Sequence, residues 1–227
     1  MLTPLIQHAR RAVSLGRYRR IARKFRAFTM IPPATYVANL RVAAKCRGVP
    51  GCVVECGVWR GGMIAGIAEV LGPGRQYHLF DSFAGLPPAG ERDGPAARAW
   101  QADRGLWWNF DNCTAPPDYA ERAMRLAGAR RFALHPGWFE DTLRSFAPAE
   151  PIALLRLDGD WYESTLTCMN ALYPHLAHGG LIIVDDYYVW DGCCRAVHAF
   201  LAERDLPLRI TQRFGRVCVL RVPDAGQ

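Results

Sequence analysis

Apolar residues in this chain come in short runs, and the runs alternate between two periods. Cys52 to Cys56, Gln76 to Phe80, Phe132 to His135, Ile152 to Leu157 and Leu181 to Val184 are four to six residues long, and most are bounded by Gly, Pro or Asp. Such short runs predict buried strands. Between them, helical spacing of apolar positions predicts helices over 63–71, 118–126, 139–146, 163–176 and 192–204. Gly179-Gly180 is expected to follow and end the fourth of these. Two last strands are predicted at 208–213 and 216–222, around Phe214-Gly215. A link that short makes an antiparallel hairpin, whereas the strand–helix alternation before it makes a parallel sheet. The expected fold is therefore α/β: a mostly parallel seven-stranded sheet with a C-terminal antiparallel hairpin and helices on both faces.

Ahead of this series the pattern differs. Leu5, Ala9, Ala12, Leu15, Ile21, Phe25 and Phe28 form a rough apolar stripe between arginines, so 5–28 is read as a helix. Ile31-Pro32-Pro33 breaks it. Thr35 is expected to cap a second helix over 36–47, ended by Gly48 to Gly51. Residues 85–94 are Pro/Gly-rich. Residues 95–112 hold Trp100, Trp107 and Trp108 and are read as irregular.

Charge divides the chain at the same place. Of 28 Lys and Arg residues, 11 lie in the first 47 positions, where there is no acid; the other 17 face all 21 Asp and Glu residues. We therefore expect a basic helical arm over 1–50 and a slightly acidic domain over 51–227. The overall charge of +7 comes from the arm and gives no reason to expect a nucleic-acid partner. The arm's bland role is that of a solvated basic helix packed on the domain or on a second subunit; its sharp one is to lie on a membrane surface or a nucleic acid. At 227 residues a single core buries roughly 70% of the unfolded surface, so no metal or disulfide is needed for folding. Eight cysteines without a CxxC pair or zinc spacing fit a reducing, cytoplasmic setting. No secretory leader or membrane span is expected: the longest uncharged run, 164–184, reads as helix, turn and strand.

The candidate chemistry lies at the strand ends. In an open parallel sheet, ligands bind at the carboxyl ends of the strands, and four strands here finish on acids: Glu55, Asp81, Asp158 with Asp160, and Asp185 with Asp186. Glu55-x-Gly57-x-x-x-Gly61-Gly62 is not the G-x-G-x-x-G dinucleotide turn, and an acid there would repel a pyrophosphate. It suits a cationic group such as the ammonium and sulfonium of S-adenosylmethionine (SAM), with Gly57 letting the ligand approach the backbone. Asp81 is placed to accept from ribose hydroxyls. Asp158, Asp185 and Asp186, on neighbouring strands, would repel one another unless a proton or cation intervened. All-oxygen ligation points to Mg²⁺. The bland alternative is that Asp185 caps the next helix and Asp186 is solvated.

Five motifs in order carry a specific resemblance. Glu55-Cys56-Gly57-Val58-Trp59-Arg60-Gly61-Gly62, Asp81-Ser82-Phe83-Ala84-Gly85-Leu86-Pro87, Pro136-Gly137-Trp138-Phe139-Glu140-Asp141-Thr142-Leu143, Leu155-Arg156-Leu157-Asp158-Gly159-Asp160-Trp161-Tyr162-Glu163-Ser164-Thr165 and Gly179-Gly180-Leu181-Ile182-Ile183-Val184-Asp185-Asp186-Tyr187 resemble the macrocin O-methyltransferase (TylF) family. The resemblance runs from about Thr29 to Leu220. It implies a Rossmann-like class I methyltransferase fold and Mg²⁺-dependent methylation of sugar hydroxyls by SAM. It also implies residue roles. Glu55 and Gly57 would hold the methionine end of SAM, with Gly61 also on the cofactor, Asp81 and Ser82 the ribose, and Trp138 the adenine side. Asp158 would face both cofactor and metal, with Asp185 and Asp186 completing the metal site. Asp160 would be the general base, with His198 and His135 as alternatives that helix or strand packing explains more simply. Thr29 and Met30 would belong to a lid.

The acceptor is least determined. The chain departs from better-known members at 92–114, whose aromatics suit stacking on a sugar or flat acceptor, a packed lid or a subunit contact. Tyr187 to Trp190 is a second acceptor wall. The expected partner is a small hydroxyl acceptor, a glycoside, and the chain is expected to self-associate. The competing readings are a catechol or phenol methyltransferase, a non-catalytic SAM-binding protein and, remotely, a nicotinamide dehydrogenase.

Overall fold

The computed structural model describes residues 15–224 apart from Arg216. The first 14 residues of the predicted arm, including the start of its 5–28 helix, lie outside the described residues. Residues 15–24 form helix α1, followed by a 3₁₀ turn at Arg26–Phe28. The chain continues through α2 (Pro33–Ala43), β1 (Cys52–Cys56), α3 (Gly62–Leu71), β2 (Gln76–Asp81), α4 (Gly94–Ala102), α5 (Pro117–Leu126) and β3 (Arg131–Pro136). It then runs through β4 (Ile152–Leu157), α6 (Tyr162–Leu172), β5 (Leu176–Val184), α7 (Asp191–Glu203), β6 (Thr211–Arg213) and β7 (Val217–Arg221).

The seven strands form one sheet in the order β3-β2-β1-β4-β5-β7-β6. The first five are parallel, and β7 runs antiparallel to both β5 and β6. Strand order reverses between β1 and β4, which opens a crevice above their carboxyl ends. Alternation along each strand distributes side chains to two layers. Val53, Leu154, Ile183 and Val219 pack with α1, α2, α3 and α5 on one face. Val54, Leu155, Ile182 and Cys218 pack with α4, α6 and α7 on the other. The central strands β1, β4 and β5 see apolar neighbours on both faces, which is why their runs read as continuously hydrophobic.

Residues 15–50 pack into this core. Phe25, Tyr36 and Leu40 are fully buried in the layer that holds α3, and the Tyr36 hydroxyl donates to Gly62 O at 2.7 Å. All eight cysteines are free, and six are buried. Among the described residues no helix is long and apolar enough to cross a membrane.

Several boundaries differ from the expected ones. Thr35 is not a cap: α2 starts at Pro33, because proline at the first helical position loses no hydrogen bond. The fourth helix stops at Leu172, and a 3₁₀ turn at Tyr173–His175 leads into β5. Gly179-Gly180 lies inside that strand, at an irregularity where Ile152 pairs Leu176 and Leu154 pairs Leu181. The helix predicted at 139–146 is a single turn, Phe139–Thr142. The stretch read as irregular contains α4, entered by Gly94-Pro95.

Candidate active site

The turns leaving the strands are tight and strained where they meet. Gly57 has φ +85°, and a Cβ there would sit 1.8 Å from the carbonyl oxygen of Asp158, so only glycine lets the β1 and β4 turns cross this closely. Trp59, Phe83 and Asp160, just beyond β1, β2 and β4, all hold left-handed backbone (φ 48°, 55° and 56°). Non-glycine residues adopt this at a cost, and such positions collect at functional sites.

A cavity of about 640 Å³ opens above these turns. Its lining includes Thr29, Met30, Glu55, Gly57, Asp81, Ser82, Trp138, Asp158, Asp160, Asp185 and Asp186. Every site residue predicted from sequence is thus brought together except Gly61. That glycine caps α3 with φ 77°, and a Cβ there would meet Ala120 Cα at 2.7 Å, so packing against α5 explains it. His198 and His135 are elsewhere: His198 Nε2 lies 3.0 Å from the Tyr187 hydroxyl, and His135 Nε2 lies 3.0 Å from His78 Nδ1.

The carboxylates divide into distinct environments. Asp81 accepts backbone N–H bonds from Val58 (2.8 Å), Trp59 (2.7 Å) and Phe83 (2.7 Å), tying the β1 turn to the β2 turn. Burial still raises its carboxyl, against the pull of those donors. Glu55 is buried, and its Oε2 has no protein partner. Its other oxygen meets Arg156.

Arg156 is the feature that sequence reading missed. It sits on β4, fully buried. Nη1 donates to Glu55 Oε1 at 2.5 Å and Asp158 Oδ2 at 2.7 Å. Nη2 lies 2.6 Å from Asp185 Oδ1, a charge contact off the hydrogen-bonding direction. Nε reaches Asn39 of α2 at 3.4 Å. Part of the cation expected among the acids is therefore supplied by the chain itself. The signal was available: an arginine in the middle of Ile-Ala-Leu-Leu-Arg-Leu-Asp must find partners once that strand is buried.

One guanidinium does not neutralise five carboxyls. Asp158, Asp185 and Asp186 each offer an oxygen within 4.8 Å of the others. Burial, followed by the neighbouring acids, pushes Asp160 up to about 8 and Asp186 well above the carboxylate range. Glu55 is driven to about 8 mainly by burial, with Arg156 opposing, and Asp158 to about 6 for the same reasons. This is how an acidic site behaves when it is built for additional positive charge. The three oxygens suit a hard divalent cation, and the orphaned Glu55 Oε2 suits an ammonium. The residues fit both groups.

Asp160 has its own support. Its backbone N–H donates to Asp186 Oδ2 at 3.1 Å, and its Oδ1 accepts from the Trp190 indole N–H at 2.9 Å. Trp190 is packed among Trp100, Trp108 and Trp161, stacked on Trp108 with ring centroids 6.0 Å apart and planes within 9°. Beside α4, residues Phe110 to Cys113 make a turn in which four consecutive residues are left-handed. Asn112 braces it, donating from Nδ2 to Leu86 O at 2.8 Å and accepting from Gln101 Nε2 at 3.0 Å.

The chain is similar to known proteins. The sequence model of the macrocin-O-methyltransferase (TylF) family matches residues 22–219. The 8-demethyl-8-(2,3-dimethoxy-alpha-L-rhamnosyl)-tetracenomycin-C 4'-O-methyltransferase of Streptomyces olivaceus is 39% identical over 163 residues, 67% of this chain and 59% of that protein. The demethyldecarbamoylnovobiocin O-methyltransferase of Streptomyces niveus is 39% identical over 168 residues, 70% of this chain and 61% of that protein. The chain thus spans about three fifths of the length of these curated relatives. The solved O-methyltransferase NovP superposes with a TM-score of 0.72 at 31% identity, covering 86% of this chain and 82% of that one.

Proposed function

This chain belongs to the macrocin-O-methyltransferase (TylF) family, and we propose that it moves a methyl group from SAM to a hydroxyl of a glycosylated small molecule with the help of Mg²⁺. The observation that carries the reading is the convergence of Glu55, Asp81, Asp158, Asp160, Asp185 and Asp186 on one cavity at the strand-order reversal.

Each residue has a physical task. Glu55 receives the ammonium of SAM on its free oxygen. The Asp81–Ser82 turn lies beside the ribose, and Trp138, at the cavity wall, flanks the adenine. Thr29 and Met30, also on the wall, close over the cofactor as a lid from the arm. Asp158, Asp185 and Asp186 hold the cation, whose positive charge offsets the negative charge that grows on the acceptor oxygen. SAM supplies the methyl on a sulfonium: the oxygen–carbon bond forms as the carbon–sulfur bond breaks, its electron pair staying on sulfur. Asp160 takes the acceptor's proton as the methyl transfers. Trp190 holds one Asp160 oxygen, leaving the other for the acceptor. The larger share of rate comes from holding oxygen and methyl in line.

The test is transfer of labelled methyl from SAM to a panel of rhamnosides and catechols, with Mg²⁺ and with EDTA. Transfer to rhamnosides that EDTA abolishes, lost in Asp160→Asn while S-adenosylhomocysteine still binds, is the expected result. Transfer unaffected by EDTA would remove the metal, and preference for catechols would move the acceptor class.

A further inference from the structure

Helix α1 presents two unlike faces. Tyr18, Ile21, Ala22 and Phe25 are buried in the layer that holds α3. The opposite side is exposed and carries Arg17, Arg19, Arg20, Arg23 and Lys24, with Arg26 in the turn that follows. Arg17 donates to Glu69 O at 2.9 Å, Arg26 donates to Thr29 O at 3.1 Å, and Lys24 pairs with Glu69. Arg19, Arg20 and Arg23 meet no carboxylate among the described residues. Exposed arginines elsewhere commonly do, such as Arg125 with Glu121 at 2.6 Å and Arg131 with Glu150 at 3.0 Å.

Such a face is unfavourable by itself. Arg19 with Arg23 and Arg20 with Lys24 are four residues apart, so they repel across one turn. An anionic surface laid against them turns that repulsion into attraction. In the same helical layer α2 adds Lys45, whose ammonium is held below its ordinary value by burial and then by Arg213, Arg221 and Arg41. The chain beyond residue 47 has 17 Lys and Arg against 21 Asp and Glu, so the rest of the molecule is repelled by an anionic surface and only this side faces it. Because the apolar face of α1 is already buried, the helix lies flat and offers a plane of guanidinium groups, which matches a bilayer rather than a nucleic-acid groove. Residues 15–26 have no Asn, Gln, Ser or Thr beside those arginines to read base edges. Ahead of α1 the sequence carries apolar Leu2, Leu5 and Ile6, then Arg10 and Arg11, and no acid. An apolar group joined to a polybasic patch is the pairing that holds proteins on a bilayer surface.

We infer that the exposed face of α1 is a docking surface for a bilayer that contains anionic lipid. Arg19, Arg20 and Arg23 lie against the lipid phosphates, and the helix stays on the domain because Tyr18, Ile21 and Phe25 hold it there. The attraction is electrostatic and therefore screened by salt. The 3₁₀ turn after α1 ends on Phe28, which lines the cavity together with Thr29, so docking brings that wall near the bilayer. This inference concerns where the chain sits, and it stands whichever hydroxyl receives the methyl group.

The test is co-sedimentation of the full chain with vesicles of phosphatidylcholine alone and of phosphatidylcholine with about one third phosphatidylglycerol, in about 0.1 M and about 0.5 M NaCl. The chain should pellet with the phosphatidylglycerol vesicles at the lower salt, be released at the higher, and stay in solution with phosphatidylcholine alone. The triple variant Arg19→Gln, Arg20→Gln, Arg23→Gln should partition about a hundredfold more weakly, each arginine carrying a factor of about five. Its thermal midpoint and its behaviour toward S-adenosylhomocysteine should match the wild type, since these side chains hold no carboxylate in the fold. A control triple on the opposite layer, Arg98→Gln, Arg144→Gln, Arg195→Gln, removes the same charge from exposed positions. It should partition within about twofold of the wild type. Equal binding to both vesicles, binding that survives the higher salt, or an equal loss in the control triple overturns the inference. Tighter binding to a DNA duplex at the same phosphate concentration also overturns it, and would make this face a nucleic-acid surface.

Discussion

At the scale of single residues, the site depends on how buried charges are partnered. Arg156 bridges Glu55, Asp158 and Asp185 from within a central strand. It thereby holds the ends of β1, β4 and β5 in one arrangement before any ligand arrives. Strand-end acids were legible in the sequence because one aspartate there is explained as a helix cap, whereas acids ending four strands of one sheet converge on a single face. Arg156 was not, because a single cation in an apolar run gives no hint of which acids it will meet until the strand order is known. Trp190 was equally hidden: it read as part of an acceptor wall, and only the fold brings its N–H to Asp160. Trp190→Phe keeps the ring stack and removes that donor. Losing one hydrogen bond to a charged group is worth roughly 1.5–3 kcal/mol, so turnover should fall by about ten- to a hundredfold. The KM for acceptor and the affinity for S-adenosylhomocysteine should be nearly unchanged. Equal losses in turnover and in both affinities would mean that Trp190 serves packing alone.

At the scale of elements, the strands and most helices followed from hydrophobic period, and the errors have physical causes. Gly94-Pro95 was read as loop, although proline in the first turn also opens a helix. Gly179-Gly180 was read as a helix end, but Gly180 lies where a Cβ would meet Ala177 O at 2.8 Å, inside a strand irregularity. Neither glycine pair declares its role without its neighbours. The left-handed turn at Phe110–Cys113 is beyond sequence reading, since only Asp111 and Asn112 among its residues favour that backbone while Phe110 and Cys113 do not. Asn112 carries its bracing, so Asn112→Ala should loosen the acceptor side, raising the acceptor KM by about tenfold for roughly 1–2 kcal/mol of lost hydrogen bonding. S-adenosylhomocysteine affinity should stay constant. Asn112→Gly, which keeps the backbone freedom and loses the side-chain bonds, should show a similar KM and thus separate bracing from strain.

At the scale of the whole molecule, one sheet covered by helices on both faces carries a cluster of acids that is unfavourable until ligands arrive. Glu55 and Asp160 are raised to about 8, above the usual unfolded value near 4. Between those values the folded chain binds more protons than the unfolded one, so these groups make stability fall as pH rises toward 8. The unliganded protein should therefore unfold at a lower temperature at pH 8.5 than at pH 6. Mg²⁺ with S-adenosylhomocysteine should raise the midpoint more at the higher pH. Thermal scans at both pH values check this, and a ligand effect equal at the two would deny the coupling. Calorimetric titration of S-adenosylhomocysteine into the wild type and Asp81→Asn tests whether this crevice is a SAM site. The prediction is saturable one-to-one binding by the wild type, weakened at least about tenfold in the variant by loss of one charge-assisted contact. No binding by folded wild-type protein would contradict it.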